Sequence, residues 1–245
     1  MLYASQQLIG MSVNTVDLEV GKVTDIQFDD QRWVARYLWI ETSQRLGSRK
    51  LPISAIAVRG INWSERRIQI NLTLEQLSGS PASDSEMPLS RQQEIMLCHY
   101  YGYPDYQRGL LLWGATPYPF IPSAALLSLE QPGDAAQQVW GTRSLQSAKT
   151  VMDYSVQTVD LHREHMRGLL IDSTSWAIRY LVVSAEEGWS DKQVVILPTS
   201  VKKLDEKRKI VFVDLMREAL LDAPPFDSAI DFSRPYEARL YRHYH

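Results

Sequence analysis

The histidines and the single cysteine of this chain are the side chains best suited to metal chemistry. His162 and His165 are three residues apart, and Cys98 is followed directly by His99. A metal site needs three or four converging ligands, and the chain has no HExxH-type motif. We therefore interpret the histidines as surface or capping residues, and we predict no metal and no cofactor.

Aspartate and serine are the next candidates, for acid–base or nucleophilic chemistry. Asp17 and Asp160 recur in the same sequence context, and a turn-forming role is the more usual one for such a residue. No glycine-rich phosphate loop and no GxSxG motif is present. The sequence therefore predicts no catalytic residues and a protein that is not an enzyme.

Basic residues are concentrated in one short run. Residues 202–209 could contact phosphate groups, but a hairpin turn is predicted there, and we interpret the run as a solvated turn. The net charge of the chain is −3 and its pI is about 6.0. No broad nucleic-acid face is indicated, and we expect no DNA partner.

An internal repeat positions these residues. Residues 33–38 recur as residues 176–181 with Trp, Arg, Tyr and Leu in the same places, 143 residues further on. The same offset carries residues 15–18 onto 158–161 and residues 90–91 onto 233–234. Leu51-Pro52 matches Leu197-Pro198 only after a shift of three residues, which predicts a longer connector in the second copy.

We assign a structural role to the residues that define this repeat. Arg36 lies among apolar neighbours, and we expect it to snorkel or to form a salt bridge at the edge of the core. The signature comprises Asp17, Trp33, Arg36, Tyr37, Leu38 and Pro52 in the first copy, and Asp160, Trp176, Arg179, Tyr180, Leu181 and Pro198 in the second.

Periodicity and capping signals predict the elements of each copy. Residues 17–21 read as a turn, in which Gly21 can take a positive φ. Residues 32–42 carry bulky side chains on both faces, which predicts a strand buried on both sides. The Ser90-x-x-Gln93 capping box opens a helix that Gly102 ends, and Ile95, Cys98 and Tyr101 are spaced to share one of its faces.

Residues 103–143 are unique to the middle of the chain and rich in aromatic residues. One interpretation is a contact surface for a partner, because aromatic side chains are favoured interface anchors. The other is that the rings fill the space between the two copies. The candidate surface residues are Tyr103, Tyr106, Trp113, Tyr118 and Phe120.

The pattern of the repeat resembles the PRC-barrel family. The resemblance rests on Ile9-Gly10, Asp17, Gly21-Lys22-Val23, Asp25, Asp29, Trp33, Arg36-Tyr37-Leu38 and Leu51-Pro52. This small β-barrel is named for the cytoplasmic part of the photosynthetic reaction centre H subunit, and the C-terminal domain of the ribosome-maturation factors is similar. The resemblance implies an assembly or adaptor role and says little about a substrate.

We therefore predict a mainly β fold of two small PRC-barrel-like β-barrels, each followed by a short α-helical tail and related by internal duplication. The predicted boundaries are 1–80 for the first barrel, 81–102 for its tail, 103–143 for the joint, 144–223 for the second barrel and 224–245 for its tail.

Three functions are consistent with this organisation. The first is a non-enzymatic adaptor that binds an unknown protein partner, with a homodimer formed if the tails cross between chains. The second is an RNA- or ribosome-associated maturation factor, and the third is a small-ligand or pigment-binding protein that uses the aromatic joint. No run of residues is long and apolar enough for a membrane span, and no signal peptide is evident, so we expect a cytoplasmic protein.

Overall fold

The computed structural model describes residues 1–16, 18–81, 88–114, 116–119, 145–187, 190–227 and 232–244. The chain divides into two compact units. The first-repeat unit consists of Gln6–Ser147 and Thr174–Ala177. The second-repeat unit consists of Met1–Ser5, Ala148–Ser173 and Ile178–His245. Among the described residues, no helix is both long and apolar enough to cross a membrane.

Strands dominate both units, and the helices are short. The strands are β1 (Leu2–Ala4), β2 (Ser12–Asn14), β3 (Glu19–Asp29), β4 (Val34–Thr42), β5 (Lys50–Ser54), β6 (Val58–Asn62), β7 (Arg67–Ile70), β8 (Leu145–Ser147), β9 (Ser155–Gln157), β10 (Arg163–Asp172), β11 (Ile178–Glu187), β12 (Ser190–Ile196), β13 (Val201–Asp205) and β14 (Ile210–Val213). The helices are α1 (Ser5–Leu8), α2 (Leu74–Ser78), α3 (Arg91–Tyr101), α4 (Ala148–Val151), α5 (Arg217–Leu221) and α6 (Arg234–Tyr244).

The sheet of the first-repeat unit is built around β4. Its strand order is β5-β4-β3-β2-β7-β6, with β8 added to β3, and only β2 and β7 pair in parallel. Every residue of β4 is buried except Glu41, so the predicted burial of both faces is confirmed. Tyr37 and Trp39 pack in a cluster with Leu97 of α3. On the other face of the strand, Val34, Leu38 and Ile40 are completely buried.

The expected closure into barrels is not seen in the strand pairing. The end strands β5 and β6 are joined by a 3-10 turn at Ala55–Ala57, which the Ser54 hydroxyl caps by accepting from the N–H of Ile56. The chain changes direction at this turn, and β6 then pairs with β7. Among the described strands no pairing links β5 to β6, so each unit contains an open seven-stranded sheet.

The second-repeat unit has the same topology. Its strand order is β12-β11-β10-β9-β14-β13, with β1 added to β10. Even rare backbone conformations recur at the 143-residue offset. Trp33 and Trp176 have φ of 53° and 60°, and Arg66 and Lys209 have φ of 50° and 54°. Such conformations are uncommon for residues other than glycine, so their recurrence supports two similar halves that arose by duplication.

Each unit contains the first strand of the other repeat. The strand β1 pairs with β10, with Leu2 opposite Asp172, and β8 pairs with β3, with Leu145 opposite Asp29. The periodicity of the sequence gives no sign of this exchange, since strands of three residues carry almost no pattern. The unit boundaries therefore differ from the predicted limits at 80 and 144.

The two prolines of the predicted signature occupy different positions in the fold. Pro52 lies within β5, opposite Trp39, whereas Pro198 opens a 3-10 turn at Pro198–Ser200. That turn is the counterpart of Ala55–Ala57 at the unchanged offset of 143. The residue equivalent to Pro52 is Val195, which pairs with Val182 in the same register. The proposed longer connector is therefore wrong, and the offset holds without a gap.

Gly21 is needed for close strand approach rather than for a turn. It lies inside β3 opposite Thr42, and a Cβ atom there would be 2.3 Å from the carbonyl oxygen of Glu41. In the second repeat Glu164 takes its place, and the pairing of β10 with β11 begins at Met166. The ladder between these two strands is therefore shorter at this end than in the first repeat.

The capping signals in the sequence predicted the bounds of α3 correctly. Ser90 and Gln93 form the predicted capping box, and Gly102 ends the helix with a φ of 68°. The predicted helix face needs correction, because Ile95 is exposed and the buried residues are Glu94 and Leu97. Similarly, β4 begins at Val34 rather than at residue 32, since Trp33 adopts the left-handed conformation.

Candidate functional site

A buried ion pair lies where β3 turns into β4. The Arg36 guanidinium donates through Nη2 to Oδ2 of Asp29 at 3.0 Å, and the two side chains are 0% and 1% exposed. The N–H groups of Gln31 and Arg32 donate to Oδ1 of Asp29 at 2.9 and 3.1 Å. Asp29 therefore shapes the turn and neutralises the buried arginine.

Both members of this pair are charged. Burial raises the pKa of Asp29, but the positive charge of Arg36 and the hydrogen bonds from Arg32 and Gln31 outweigh it, so that the pKa falls below its usual value. Of the two roles expected for Arg36, the salt bridge is confirmed. Removal of one partner of a buried ion pair is costly because the other charge stays buried alone.

Residues 106–113, which we call the strap, cover Arg36. The guanidinium carbon lies 3.9 Å from the ring centroid of Tyr106 and 4.6 Å from that of Trp113. Its Nη1 donates to the carbonyl oxygen of Leu112 at 2.6 Å. The cation thus contacts two aromatic rings and one backbone carbonyl, an arrangement in which cation–π attraction is strengthened by the exclusion of water.

A second arginine holds the backbone of the strap. Nη1 of Arg32 donates to the carbonyl oxygens of Tyr106 at 3.0 Å and of Leu111 at 2.6 Å. Its Nη2 donates to the carbonyl of Gly109 at 2.5 Å. Gly109 also allows the strap to fold back, since a Cβ atom there would be 2.1 Å from the carbonyl carbon of Gly114.

Glu94 of α3 joins the cluster from the helix side. The hydroxyl of Tyr106 donates to its Oε1, and Nε2 of Gln107 donates to its Oε2 at 3.0 Å. Burial raises the pKa of Glu94 to about 6. Burial and, to a smaller extent, the charge of Glu94 also raise the pKa of Tyr37 and of Tyr106 well above the usual value. The helix, the sheet and the strap therefore share one set of polar contacts.

The described part of the second-repeat unit has the same residue types in a more exposed setting. Asp172, Arg179, Tyr180 and Glu237 stand where Asp29, Arg36, Tyr37 and Glu94 stand in the first copy. Arg179 is exposed. Burial and the charge of Glu237 raise the pKa of Tyr180, and the charge of Arg179 opposes them. Asp172 is half-buried, with Oδ2 3.7 Å from the N-terminal amine of Met1.

The predicted aromatic contact surface is not one surface. Tyr106 and Trp113 are 3% and 2% exposed, so their rings are packed inside the first-repeat unit and cannot meet a partner. Tyr103 is half-buried and stacks on Tyr101 at a centroid distance of 5.4 Å. Only Tyr118 is well exposed, at 49%, among the members that the structure describes. Phe120 lies outside the described residues, as does Asp17 of the repeat signature.

The residues first considered for chemistry take structural positions. Burial raises the pKa of the Cys98 thiol to about 12. Asp160 accepts from the N–H of Arg217 at 3.1 Å at the start of α5, as a turn residue can. Within the described ranges, no group of three or more His, Cys, Asp or Glu side chains is placed to hold a metal ion.

Three residues of the cluster were not predicted as site residues, namely Asp29, Arg32 and Glu94. Two of them carried a signal, because Asp29 and Glu94 are identical to Asp172 and Glu237 at the repeat offset. Arg32 carried none, since Ser175 stands at the equivalent position. Its role depends on a contact with residues more than seventy positions away, which no local pattern predicts.

Comparisons with known proteins add no family to this description. No protein-family model matches the chain, and no curated protein matches it.

The geometry of the cluster is suited to recognition of a peptide. A buried guanidinium, oriented by a carboxylate, contacts two aromatic rings and donates a hydrogen bond to a backbone carbonyl oxygen. In the first-repeat unit that peptide is the chain's own strap.

Proposed function

We propose that the chain is a non-enzymatic, cytoplasmic adaptor built of two PRC-barrel-like modules, each followed by a helical tail, and that it binds protein partners. The support comes from two loops, residues 15–18 and 158–161. Both read Thr-Val-Asp-Leu, and this is the longest stretch that the two copies share without a change.

Three of the four apolar side chains in these loops are exposed, and Leu18 is half-buried. Val16 is 78% exposed and Val159 is 53% exposed. Leu161 is 75% exposed. Side chains that were kept identical while most of the chain diverged, and that bury little area within the fold, are suited to contact another protein.

The polar residues of the same loops have a structural explanation. The hydroxyl of Thr15 accepts from the N–H of Leu18 at 3.4 Å, and Asp160 accepts from the N–H of Arg217. Local turn formation thus accounts for threonine and aspartate but not for valine. Two copies of one contact motif on a single chain also allow a partner with two matching sites to bind more tightly than either site alone would allow.

The test is capture of partners by the full-length tagged chain from cells that express it. We expect the double variant Val16→Asp and Val159→Asp to lose proteins that the unchanged chain retains in stoichiometric amounts. Arg59→Asp, which changes an exposed residue of β6, is the matched control and should retain them. Equal capture by the unchanged chain, the double variant and the control would remove the loops from the proposal. One candidate partner is a second copy of this chain.

An RNA- or ribosome-associated role is the alternative, and the hairpin of β13 and β14 favours it. Lys202 and Lys203 have acidic partners, Asp214 and Asp205, at 2.6 and 3.2 Å. The residues at the tip, 207–209, are basic and exposed. If they contact phosphates, the protein should sediment with ribosomes at low salt and be released as salt is raised. No contact in the described residues favours a pigment or small-ligand role, because the rings of Tyr106 and Trp113 are buried.

A further inference from the structure

The hairpin of β13 and β14 carries more positive charge than its counterpart in the first repeat. Residues 201–209 contain five basic and two acidic residues, whereas residues 58–66 contain two basic residues and one acidic residue. The largest change is at the turn, where Lys207 and Arg208 stand in place of Ser64 and Glu65. Residues 207–209 are all exposed. The second-repeat unit therefore presents a basic hairpin tip that residues 58–66 do not match.

The fold of the turn does not require these basic side chains. In the second repeat Oδ1 of Asp205 accepts from the N–H of Arg208 at 3.1 Å, and in the first repeat Oδ1 of Asn62 accepts from the N–H of Glu65 at 3.2 Å. The next residue is left-handed in both copies, with φ of 54° and 50°. Serine and glutamate thus support the same turn as lysine and arginine, so the backbone explains neither positive charge.

The other two basic residues of the hairpin lie on β13 and have a structural explanation. Lys202 lies 2.6 Å from Asp214, and Lys203 lies 3.2 Å from Asp205. Among the described strands β13 pairs only with β14, and lysines on such an edge strand oppose pairing with another chain. Residues 207–209 therefore remain as the part of the charge that neither ion pairing within the hairpin nor protection of the edge explains.

We propose that the tip of this hairpin, residues 207–209, attaches the protein to a membrane surface that contains anionic lipids. The ammonium and guanidinium groups lie among the lipid phosphates, where each basic residue strengthens attachment about fivefold. Residues 205–209 include no apolar side chain, so the contact is made by charge and not by insertion into the bilayer. The inference goes beyond the proposed adaptor function and does not depend on it.

Two features favour a lipid surface over RNA as the anionic partner. Sites for single-stranded RNA stack bases on aromatic rings, and Glu206 stands at the tip where the first repeat has Trp63. An RNA backbone also follows a basic groove, whereas the lysines of β13 are paired with carboxylates and leave the charge at one point. A hairpin tip can meet a flat membrane surface without such a groove.

The experiment measures sedimentation of the full-length protein with vesicles of equal parts phosphatidylcholine and phosphatidylglycerol. We expect retention on these vesicles at low salt, little on vesicles of phosphatidylcholine alone, and release as salt is raised, because exposed charges are screened. Lys207→Ser with Arg208→Glu, which introduces the residues of the first repeat, should weaken attachment about tenfold or more. The matched control is Arg45→Glu with Arg59→Ser, which makes the same change in net charge at exposed residues of the first-repeat unit and should keep most of the affinity.

Three results would overturn the inference. Equal retention of the unchanged chain and the tip variant would show that the lipids are bound elsewhere, and equal weakening by the control would show that net charge alone is responsible. An absence of retention at low salt would also refute it, and tip-dependent binding of single-stranded RNA in the same buffer would then assign the hairpin to the RNA alternative. Because Ser64 and Glu65 form the same turn in the first repeat, circular dichroism should show the tip variant to be folded. Capture of protein partners is measured without vesicles, so either proposal can fail while the other stands.

Discussion

Arg36 and Arg179 occupy the same position in two copies of one fold, yet the first is completely buried and the second is exposed. The strands that carry them, β4 and β11, have the same neighbours in the same order. The difference lies in what covers them. The strap supplies two rings and a carbonyl to Arg36, which is a core residue.

This contrast shows that equivalent positions in two copies of a repeat can have different environments. The ion pair of Asp29 and Arg36 is part of the core of the first-repeat unit, whereas Asp172 has the N-terminal amine of Met1 within 3.7 Å. The strap, a segment outside the repeated region, therefore accounts for the burial of Arg36.

Substitution of the two arginines should give the largest difference. Arg36→Ala leaves Asp29 buried without its partner, and the free energy of unfolding should fall by about 3–5 kcal/mol. Arg179→Ala removes an exposed side chain and should change it by less than about 0.5 kcal/mol. Urea unfolding followed by far-UV circular dichroism measures both. Equal losses for the two variants would contradict the view that the strap makes the sites different.

Removal of the Trp113 ring tests whether that ring holds the strap over Arg36. Trp113→Ala takes away a buried ring that contacts Arg36 and donates through Nε1 to the carbonyl of Ser175 at 2.8 Å, and the expected loss is about 3 kcal/mol. Tyr118→Ala, at a residue that is 49% exposed, is the matched control, with a much smaller expected effect. If the two variants have the same urea midpoint, the ring of Trp113 does not hold the strap in place.

The pH dependence of stability should report the burial of Glu94. Because the pKa is raised in the folded protein to about 6 from 4.5, the protonated form is favoured, and its contribution is fully present below pH 4.5 and lost as the pH rises through 6. The loss is about 2 kcal/mol at most.

Glu94→Gln keeps an acceptor for the Tyr106 hydroxyl but does not titrate. The variant should therefore gain stability relative to the unchanged chain by about 1–2 kcal/mol between pH 4.5 and 7, measured by urea unfolding at several pH values. A difference in stability that stays constant over this range would mean that Glu94 has an ordinary pKa.

Several parts of the fold could be predicted because their causes are local. The capping box of α3 and the left-handed Gly102 follow from side chains within a few residues of each other. The bulk on both faces of β4 indicated its burial. The duplication was evident from the spacing of tryptophan, arginine and tyrosine, and left-handed Trp33 and Trp176 confirm it in the backbone.

Other parts could not be predicted because their causes are distant in sequence. The pairing of β1 with β10 joins residues about 170 positions apart, and three-residue strands carry no usable periodicity. The inward placement of Tyr106 and Trp113 depends on Arg32 and Arg36, since an aromatic-rich segment is equally consistent with an exposed contact surface. The closure of the sheet was expected from the resemblance alone, and the pairing does not show it.

The sequence by itself determined the duplicated β organisation, the caps of the helices and the presence of an Asp, Arg, Tyr and Glu set in each copy, because these depend on residue type and spacing along the chain. Only the tertiary structure decided that Arg36 is buried and Arg179 is exposed. The burial of Arg36 depends on a strap of eight residues folding back over it, and the energy of such a contact comes from groups that meet only after the chain has folded.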